Sequence, residues 1–173
     1  WRLNRALAGG GALLNMGVYA IQGAIYGTGQ NPISVSAQEF STDPDYFKDT
    51  DESITAQFKF PNGATGSIFT SHSANVNRHY SAFDRGWLEL NPANNYGPLA
   101  GRLSTGEEIK FPHESQQKLQ MDDFALHVLE GKSNKAPGEM GKRDMIICEA
   151  IYQSIAEGGK TIDLDLGRMG IVG

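Results

Sequence analysis

The sequence predicts an α+β domain, an open and mostly antiparallel sheet with helices packed on one face. Three observations lead there: one long apolar helix opens the chain, a meander of alternating strand segments follows, and two amphipathic helices close it. The 173 residues are 39% hydrophobic and 20% charged, enough for one substantial core, so a single domain over 1–173 is expected.

The opening helix is expected from about Gly10 to Tyr26, rich in Ala, Leu and Met, and stopped by Gly27-Thr28-Gly29 and then Asn31-Pro32. It is apolar nearly all round, which predicts burial. Next, Ile33, Val35 and Ala37 alternate with Ser34, Ser36 and Gln38, and Ile54, Ala56, Phe58 and Phe60 alternate with Ser53, Thr55, Gln57 and Lys59. Pro61-Asn62-Gly63 then reads as a turn returning the chain along Ala64 to Ser73 as a hairpin strand. Further strands are expected at His79 to Asp84, Trp87 to Asn91 and near Leu103. In the closing helices, Met121, Phe124, Ala125, Val128 and Leu129 share one face, and Ile147, Ala150, Ile151 and Ile155 share another, with Gly131 and Gly158-Gly159 as the stops.

Composition excludes several classes of function. A net charge of -5, with 15 basic residues scattered along the chain, argues against a nucleic-acid partner, which needs clustered Lys and Arg. No apolar run approaches the roughly 20 residues needed to cross a bilayer, so no membrane role is expected. The single cysteine, Cys148, excludes an internal disulfide and leaves the compartment, cytoplasmic or periplasmic, undecided.

Several motifs nearly fit and fail. A dinucleotide fingerprint G-x-G-x-x-G meets Leu14 after Gly9 and Gly11, and Pro32 after Gly27 and Gly29. Gly159-Lys160-Thr161 lacks the first glycine of a phosphate loop, Ser154 standing in its place. His113-Glu114 has Gln117 where a zinc-protease motif needs histidine, so no metal is expected. Asp43, Asp45, Asp49 and Asp51 lack calcium-loop spacing and read as a solvated acidic loop. His72 and His79 read as structural residues.

Chemistry concentrates on the opening helix. Asn15, Tyr19, Gln22 and Tyr26 fall at i, i+4, i+7 and i+11, a line of polar groups down an apolar cylinder. Either they bond to neighbouring backbone and water, or they line a polar pocket. The glycines Gly9-Gly10-Gly11 ahead of them either cap a preceding helix or leave N–H groups open to a ligand at the positive end of the helix dipole.

Trp1-Arg2-Leu3, the run from Gly9 through Tyr19, Pro32-Ile33-Ser34-Val35, Pro137-Gly138-Glu139 and Glu149-Ala150-Ile151-Tyr152 together resemble the C-terminal domain of the glucose-fructose oxidoreductase and inositol dehydrogenase family. The similarity runs from Trp1 to about Leu166 and points to the glucose-fructose oxidoreductase-like branch. It implies a glyceraldehyde-3-phosphate dehydrogenase-like C-terminal fold, and a two-domain enzyme whose N-terminal Rossmann domain, absent from this chain, binds NAD or NADP. The substrate it implies is a sugar or polyol. In that family an acidic residue on the helix is followed four residues on by a histidine or tyrosine that exchanges a proton with the sugar hydroxyl. Tyr19 matches the second position, and Asn15 departs from the first. Tyr19 and Asn15 are therefore the expected catalytic pair, Gly10, Gly11 and Arg2 the expected cofactor contacts, and Trp1, Asn15, Tyr19 and Gln22 the expected substrate contacts. An alternative is a non-catalytic sugar-binding or assembly module that keeps the fold. The weakly charged strand face of Ser34, Ser36, Gln38, Ser53, Thr55 and Gln57 predicts a homo-oligomer, and the isolated domain is expected to bind no cofactor tightly and to be inactive.

Overall fold

A computed structural model describes residues 1–111 and 114–171. His113 therefore lies outside the described residues. The chain forms two compact units, one of Trp1–Val76 with Gly138–Ile171 and the other over Asn77–Pro137.

The first unit opens with the short α1 (Arg5–Ala8), a π turn (Leu13–Gly17) and α2 (Val18–Thr28), followed by β1 (Ser34–Phe40), β2 (Ser53–Lys59) and β3 (Thr65–Ser71). The second contains β4 (His79–Phe83), β5 (Gly86–Leu90), β6 (Ala100–Leu103), β7 (Glu108–Lys110) and α3 (Gln116–Glu130). The chain then completes the first unit with α4 (Gly138–Ala156) and β8 (Ile162–Asp163).

In the first unit the strands lie in the order β3-β2-β1-β8, all antiparallel, with Ala37 opposite Ala56 and Ala56 opposite Ile68. That register puts Val35, Ala37, Ile54, Ala56, Phe58 and Ile68 on one face, all buried with Leu13, Ile21, Ile25, Ile147 and Ile151 from the helical segments. α4 lies against β1 and α2 against β3, so both helices cover the same face, as the alternating strands predict. Burying each such aliphatic or aromatic side chain contributes about 1.5–3 kcal/mol before ordering entropy is subtracted. The β2–β3 turn forms where expected, with Gly63 at φ 86° and the Ala64 N–H donating to Asn62 Oδ1 at 3.1 Å.

The opening helix differs from expectation. Its first turn is a π turn, and it runs on to Thr28, where the Thr28 hydroxyl bonds back to the Ala24 carbonyl at 3.1 Å and Gly29 turns left-handed at φ 67°. Its burial is one-sided: Leu13, Ile21 and Ile25 face the core, while Asn15, Met16, Tyr19 and Tyr26 are exposed. Apolar Ala and Gly around the rest of the cylinder mask this asymmetry in the sequence.

Buried polar groups tie α4 to its surroundings. The Ser154 hydroxyl donates to the Lys160 carbonyl at 2.6 Å and accepts the Ala37 N–H of β1 at 2.8 Å. Arg143 and Asp144, both buried, pair through Arg143 Nε and Asp144 Oδ1 at 2.8 Å, and a second Arg143 nitrogen donates to the Gly170 carbonyl at 3.1 Å. The other oxygen of Asp144 accepts the Gln22 side-chain amide of α2 at 2.7 Å.

In the second unit β4-β5-β6-β7 form an antiparallel sheet, with Tyr80 opposite Glu89 and Glu89 opposite Arg102. Hydrogen bonds from Arg78 and then Arg102 hold the Glu89 carboxyl below its ordinary range. α3 is capped at its start by Ser115, whose hydroxyl accepts the Lys118 N–H, and at its end by Gly131. Its apolar stripe of Met121, Phe124, Val128 and Leu129 stands 55–80% exposed, against the sequence expectation of a core-facing helix. Periodicity identifies the apolar face of a helix, but not what covers it.

Replacing Asp144 by alanine strands a buried guanidinium and frees the Gln22 amide. The expected cost is about 3–5 kcal/mol in urea unfolding; a loss under about 1 kcal/mol would show that the pair is not the buried contact described.

Candidate functional site

The site is built around the start of the opening helix. Gly9 ends α1 with φ 78°, its N–H donating to the Arg5 carbonyl at 2.8 Å. Gly10 and Gly11 then pass so close to Asp51 and Tyr152 that side chains have no room. A Cβ on Gly10 would lie 2.2 Å from the Tyr152 hydroxyl, and one on Gly11 would lie 2.0 Å from the Asp51 carbonyl oxygen.

Asp51 occupies that space. Its Oδ1 accepts the Gly11 N–H at 2.7 Å and the Tyr152 O–H at 2.7 Å, and its Oδ2 accepts the Leu13 N–H at 2.8 Å. The Ala12 N–H donates to the Asp51 backbone carbonyl at 3.1 Å, and the Thr70 hydroxyl of β3 donates to the Ala12 carbonyl at 3.0 Å. A carboxylate thus stands where the helix presents unpaired N–H groups and positive dipole, which satisfies both. Burial, and then the hydrogen bond to Asp51, push the Tyr152 hydroxyl well above the ordinary phenol range, so it remains a donor. The Arg5 guanidinium lies 5.0 Å from the centre of the Tyr152 ring.

The expectation that these glycines leave N–H groups open to a cofactor is therefore corrected at Gly11, whose N–H is taken by Asp51. Gly10 and Gly11 are small because Tyr152 and Asp51 must approach the backbone. The reading of a solvated acidic loop is corrected at Asp51, which is 5% exposed. Asp43, Asp45 and Asp49 are exposed, Asp49 accepting the Arg5 N–H at 2.7 Å and Asp43 the Tyr46 N–H at 3.1 Å. Beside Asp51, the buried Glu52 accepts the Ser41 hydroxyl at 2.6 Å, the Thr42 hydroxyl at 2.7 Å and the Thr42 N–H at 2.6 Å. Hydroxyl donors, Ser41 foremost with Ser73 and Thr42 after it, hold its carboxyl far below the ordinary range. Sequence spacing alone missed Asp51; the signal for it was three consecutive glycines, which imply something bulky packed against them.

Of the predicted polar line, Asn15, Tyr19 and Tyr26 face outward, and Asn15 and Tyr19 lie nearest this anchored end. Asn15 lies in the π turn and Tyr19 is the second residue of α2; both are exposed, Tyr19 at 49%. A phenol can give or take a proton, and an amide can donate and accept hydrogen bonds without titrating. Gln22, expected beside them, turns inward to Asp144 and does not join the exposed pair. Trp1 is 73% exposed, with the Arg2 guanidinium 4.9 Å from its ring centre. Among the described residues no group of three His, Cys, Asp or Glu side chains is placed to share a metal ion. No described helix is long and apolar enough to cross a membrane.

The phosphates of a dinucleotide need free N–H groups at a helix start, and here those of Gly11 and Leu13 are filled. The anchored turn thus does not fit that part of a nicotinamide cofactor. The exposed Asn15 amide and Tyr19 phenol are free to exchange hydrogen bonds with a hydroxyl group.

Comparison with known proteins places these features in a family. Residues 1–89 match the model of the GFO/IDH/MocA C-terminal domain. The chain is 26% identical over 170 residues to D-xylose 1-dehydrogenase [NADP(+)] of Haloarcula marismortui, covering 95% of this chain and 47% of that protein. It is also 26% identical over 181 residues to D-glucoside 3-dehydrogenase of Escherichia coli, covering 93% of this chain and 51% of that protein. Among solved structures, aldose-aldose oxidoreductase from Caulobacter crescentus, complexed with glycerol, is 35% identical with a TM-score of 0.87, over 95% of this chain and 50% of that one. The chain spans about half the length of the curated relatives it matches.

The Glu52 carboxyl gives a pH prediction. Because its folded value is depressed, its contribution to stability is fully present above the ordinary carboxylate value, about 4.3, and fades as pH falls below that toward the folded value. Urea midpoints measured between pH 7 and pH 3 should fall more steeply for the natural chain than for Glu52→Gln; parallel curves would contradict the assignment.

Proposed function

The chain belongs to the GFO/IDH/MocA family, as its C-terminal domain, and from that premise we propose that it forms the substrate-side half of an NAD(P)-dependent oxidoreductase acting on a sugar or polyol. The observation that carries this reading is the outward pair Asn15 and Tyr19 on a helix whose start is fixed by Asp51. The relatives D-xylose 1-dehydrogenase [NADP(+)] and D-glucoside 3-dehydrogenase favour a sugar hydroxyl as the reacting group, and the first favours NADP.

In this proposal Tyr19 is the catalytic residue. Hydride leaves a carbinol carbon only as the hydroxyl proton is removed, and in the reverse direction the new hydroxyl must receive one. The nicotinamide, when bound by a separate nucleotide-binding domain, supplies the hydride acceptor or donor. The family resemblance places a lysine of the nucleotide-binding domain beside the residue that Tyr19 matches, and a neighbouring cation eases the loss of a phenol proton. Asn15 orients the sugar hydroxyl through its amide, and Trp1 contributes to the substrate wall. Gln22, bonded to Asp144, serves by holding α2. Arg2, exposed and close to Trp1, remains the candidate among the three expected cofactor contacts. Gly10 and Gly11 act by admitting Tyr152 and Asp51. By itself, the domain is proposed to bind cofactor weakly and to turn over no substrate.

In the enzyme joined to its nucleotide-binding domain, Tyr19→Phe should lower turnover by about 10²–10⁴-fold with substrate affinity largely kept. Unchanged turnover removes Tyr19 from its role. The amide at Asn15 favours a second reading, a sugar-binding or assembly module without catalysis, which predicts sugar binding with no cofactor turnover across a panel of sugars.

A homo-oligomer built through the sheet is part of the same proposal. The positions of β1, β2 and β3 that face away from the helices carry one charge, Lys59, and include Phe40 and Phe69, stacked at 6.4 Å. Such a face suits a second copy better than water. Sedimentation should show a dimer or larger species that Thr55→Lys dissociates; a natural chain that stays monomeric at high concentration counts against it.

A further inference from the structure

Most helices are capped by the residue just ahead of them, at the cost of one small polar side chain. Here the cap comes from Asp51, 40 residues beyond Gly11 in sequence, and it requires a buried carboxylate, a half-buried phenol and two glycines without room for a methyl group. Satisfying two N–H groups does not require that much apparatus. A Ser or Asp at position 10 or 11 would cap the helix locally, and the close approach of Asp51 and Tyr152 forbids it.

What the distant cap adds is position. Asp51 grips the chain at Gly11 and Leu13, and the π turn that carries Asn15 begins at Leu13. A π turn is a local insertion whose location decides the register of everything after it. A slip of one residue between the grip and α2 would rotate Tyr19 by roughly 100° about the helix axis and move it about 1.5 Å along it. Proton transfer tolerates far less, since a misplacement of about 1 Å can cost on the order of 10²-fold in rate.

We infer that Asp51 and Tyr152 form a positioning pair for the proposed reaction, fixing the register of the π turn so that Tyr19 meets the substrate hydroxyl. This rests on the proton-transfer role proposed for Tyr19. Asp51 touches no substrate: it acts through the backbone, and Tyr152 acts through Asp51 by filling the Oδ1 side of the carboxylate and holding it in one rotamer. Asp51→Asn keeps the shape but turns one oxygen into an NH2 group, so either the Leu13 N–H or the Gly11 and Tyr152 donors face another donor. Tyr152→Phe removes one donor and leaves both backbone contacts.

The test uses the enzyme joined to its nucleotide-binding domain and compares Asp51→Asn, Tyr152→Phe, Tyr19→Phe and Ser154→Ala. Ser154→Ala is the control for stability, because its buried hydroxyl serves Ala37 and Lys160 and makes no contact with the start of the opening helix. Asp51→Asn should lower kcat about tenfold or more and Tyr152→Phe about threefold, each with sugar KM changed less than about threefold. Ser154→Ala should lower the unfolding midpoint and keep kcat. A folded Asp51→Asn enzyme with natural kcat overturns the inference, and so does a kcat loss in Ser154→Ala matching that of Asp51→Asn. If Asp51→Asn does not fold, Tyr152→Phe decides by the same criterion. If Tyr19→Phe leaves turnover intact, the proposed role of Tyr19 fails instead. Register is then read directly from the 19F resonance of 3-fluorotyrosine at Tyr19, which should shift or split in Asp51→Asn and Tyr152→Phe and stay fixed in Ser154→Ala. A resonance unmoved by either of the first two changes overturns the positioning claim.

Discussion

A carboxylate taken out of water is costly unless donors surround it, and Asp51 meets that condition with two backbone N–H groups and a phenol at 2.7–2.8 Å. Much of the surrounding structure follows from keeping those donors in place. Gly10 is a glycine because the Tyr152 hydroxyl lies against it, and Gly11 because the Asp51 backbone does. Gly17 is a glycine because a Cβ there would lie 2.9 Å from Leu13 and 3.2 Å from Thr70, the residue whose hydroxyl holds the Ala12 carbonyl. The helix start is held from three directions, by the segment before β2, by β3 and by α4.

α4 is the common support. Tyr152 reaches the start of the opening helix, Asp144 reaches Gln22 in α2, and Ser154 reaches β1. These polar contacts are directional, whereas the apolar contacts among Ile21, Ile25, Ile147 and Ile151 are not. Apolar burial supplies most of the drive to pack the helices on the sheet, and the hydrogen bonds choose one arrangement. This division of labour suits the proposed role, in which Asn15 and Tyr19 meet a substrate in a fixed orientation.

Much of this was legible in the sequence. Strict alternation in Ser53–Lys59 and the Asn62-Gly63 turn specify the β2–β3 hairpin, because a period of two allows only one face to be buried. The glycine-rich run from Gly9 through Tyr19, with Trp1-Arg2-Leu3, Pro32–Val35, Pro137–Glu139 and Glu149–Tyr152 in order behind it, pointed to the family. Three things were not legible. The π turn leaves no periodic signature over five residues. The roles of Asp51, Asp144 and Tyr152 depend on partners 40 to 122 residues away, and local composition carries no trace of such pairing. The inward turn of Gln22 was hidden for the same reason: helical spacing set it in line with Asn15 and Tyr19, but its partner Asp144 came from another helix.

Amide hydrogen exchange at Gly11 and Leu13 tests the central claim most directly, because these two N–H groups are the ones Asp51 holds. If the buried carboxylate anchors the helix, both should exchange only as the whole unit unfolds, at rates like those of the β2 amides around Phe58. Exchange at Gly11 and Leu13 as fast as at the exposed amides of a loop would contradict the account and leave the proposed register of Tyr19 without its support.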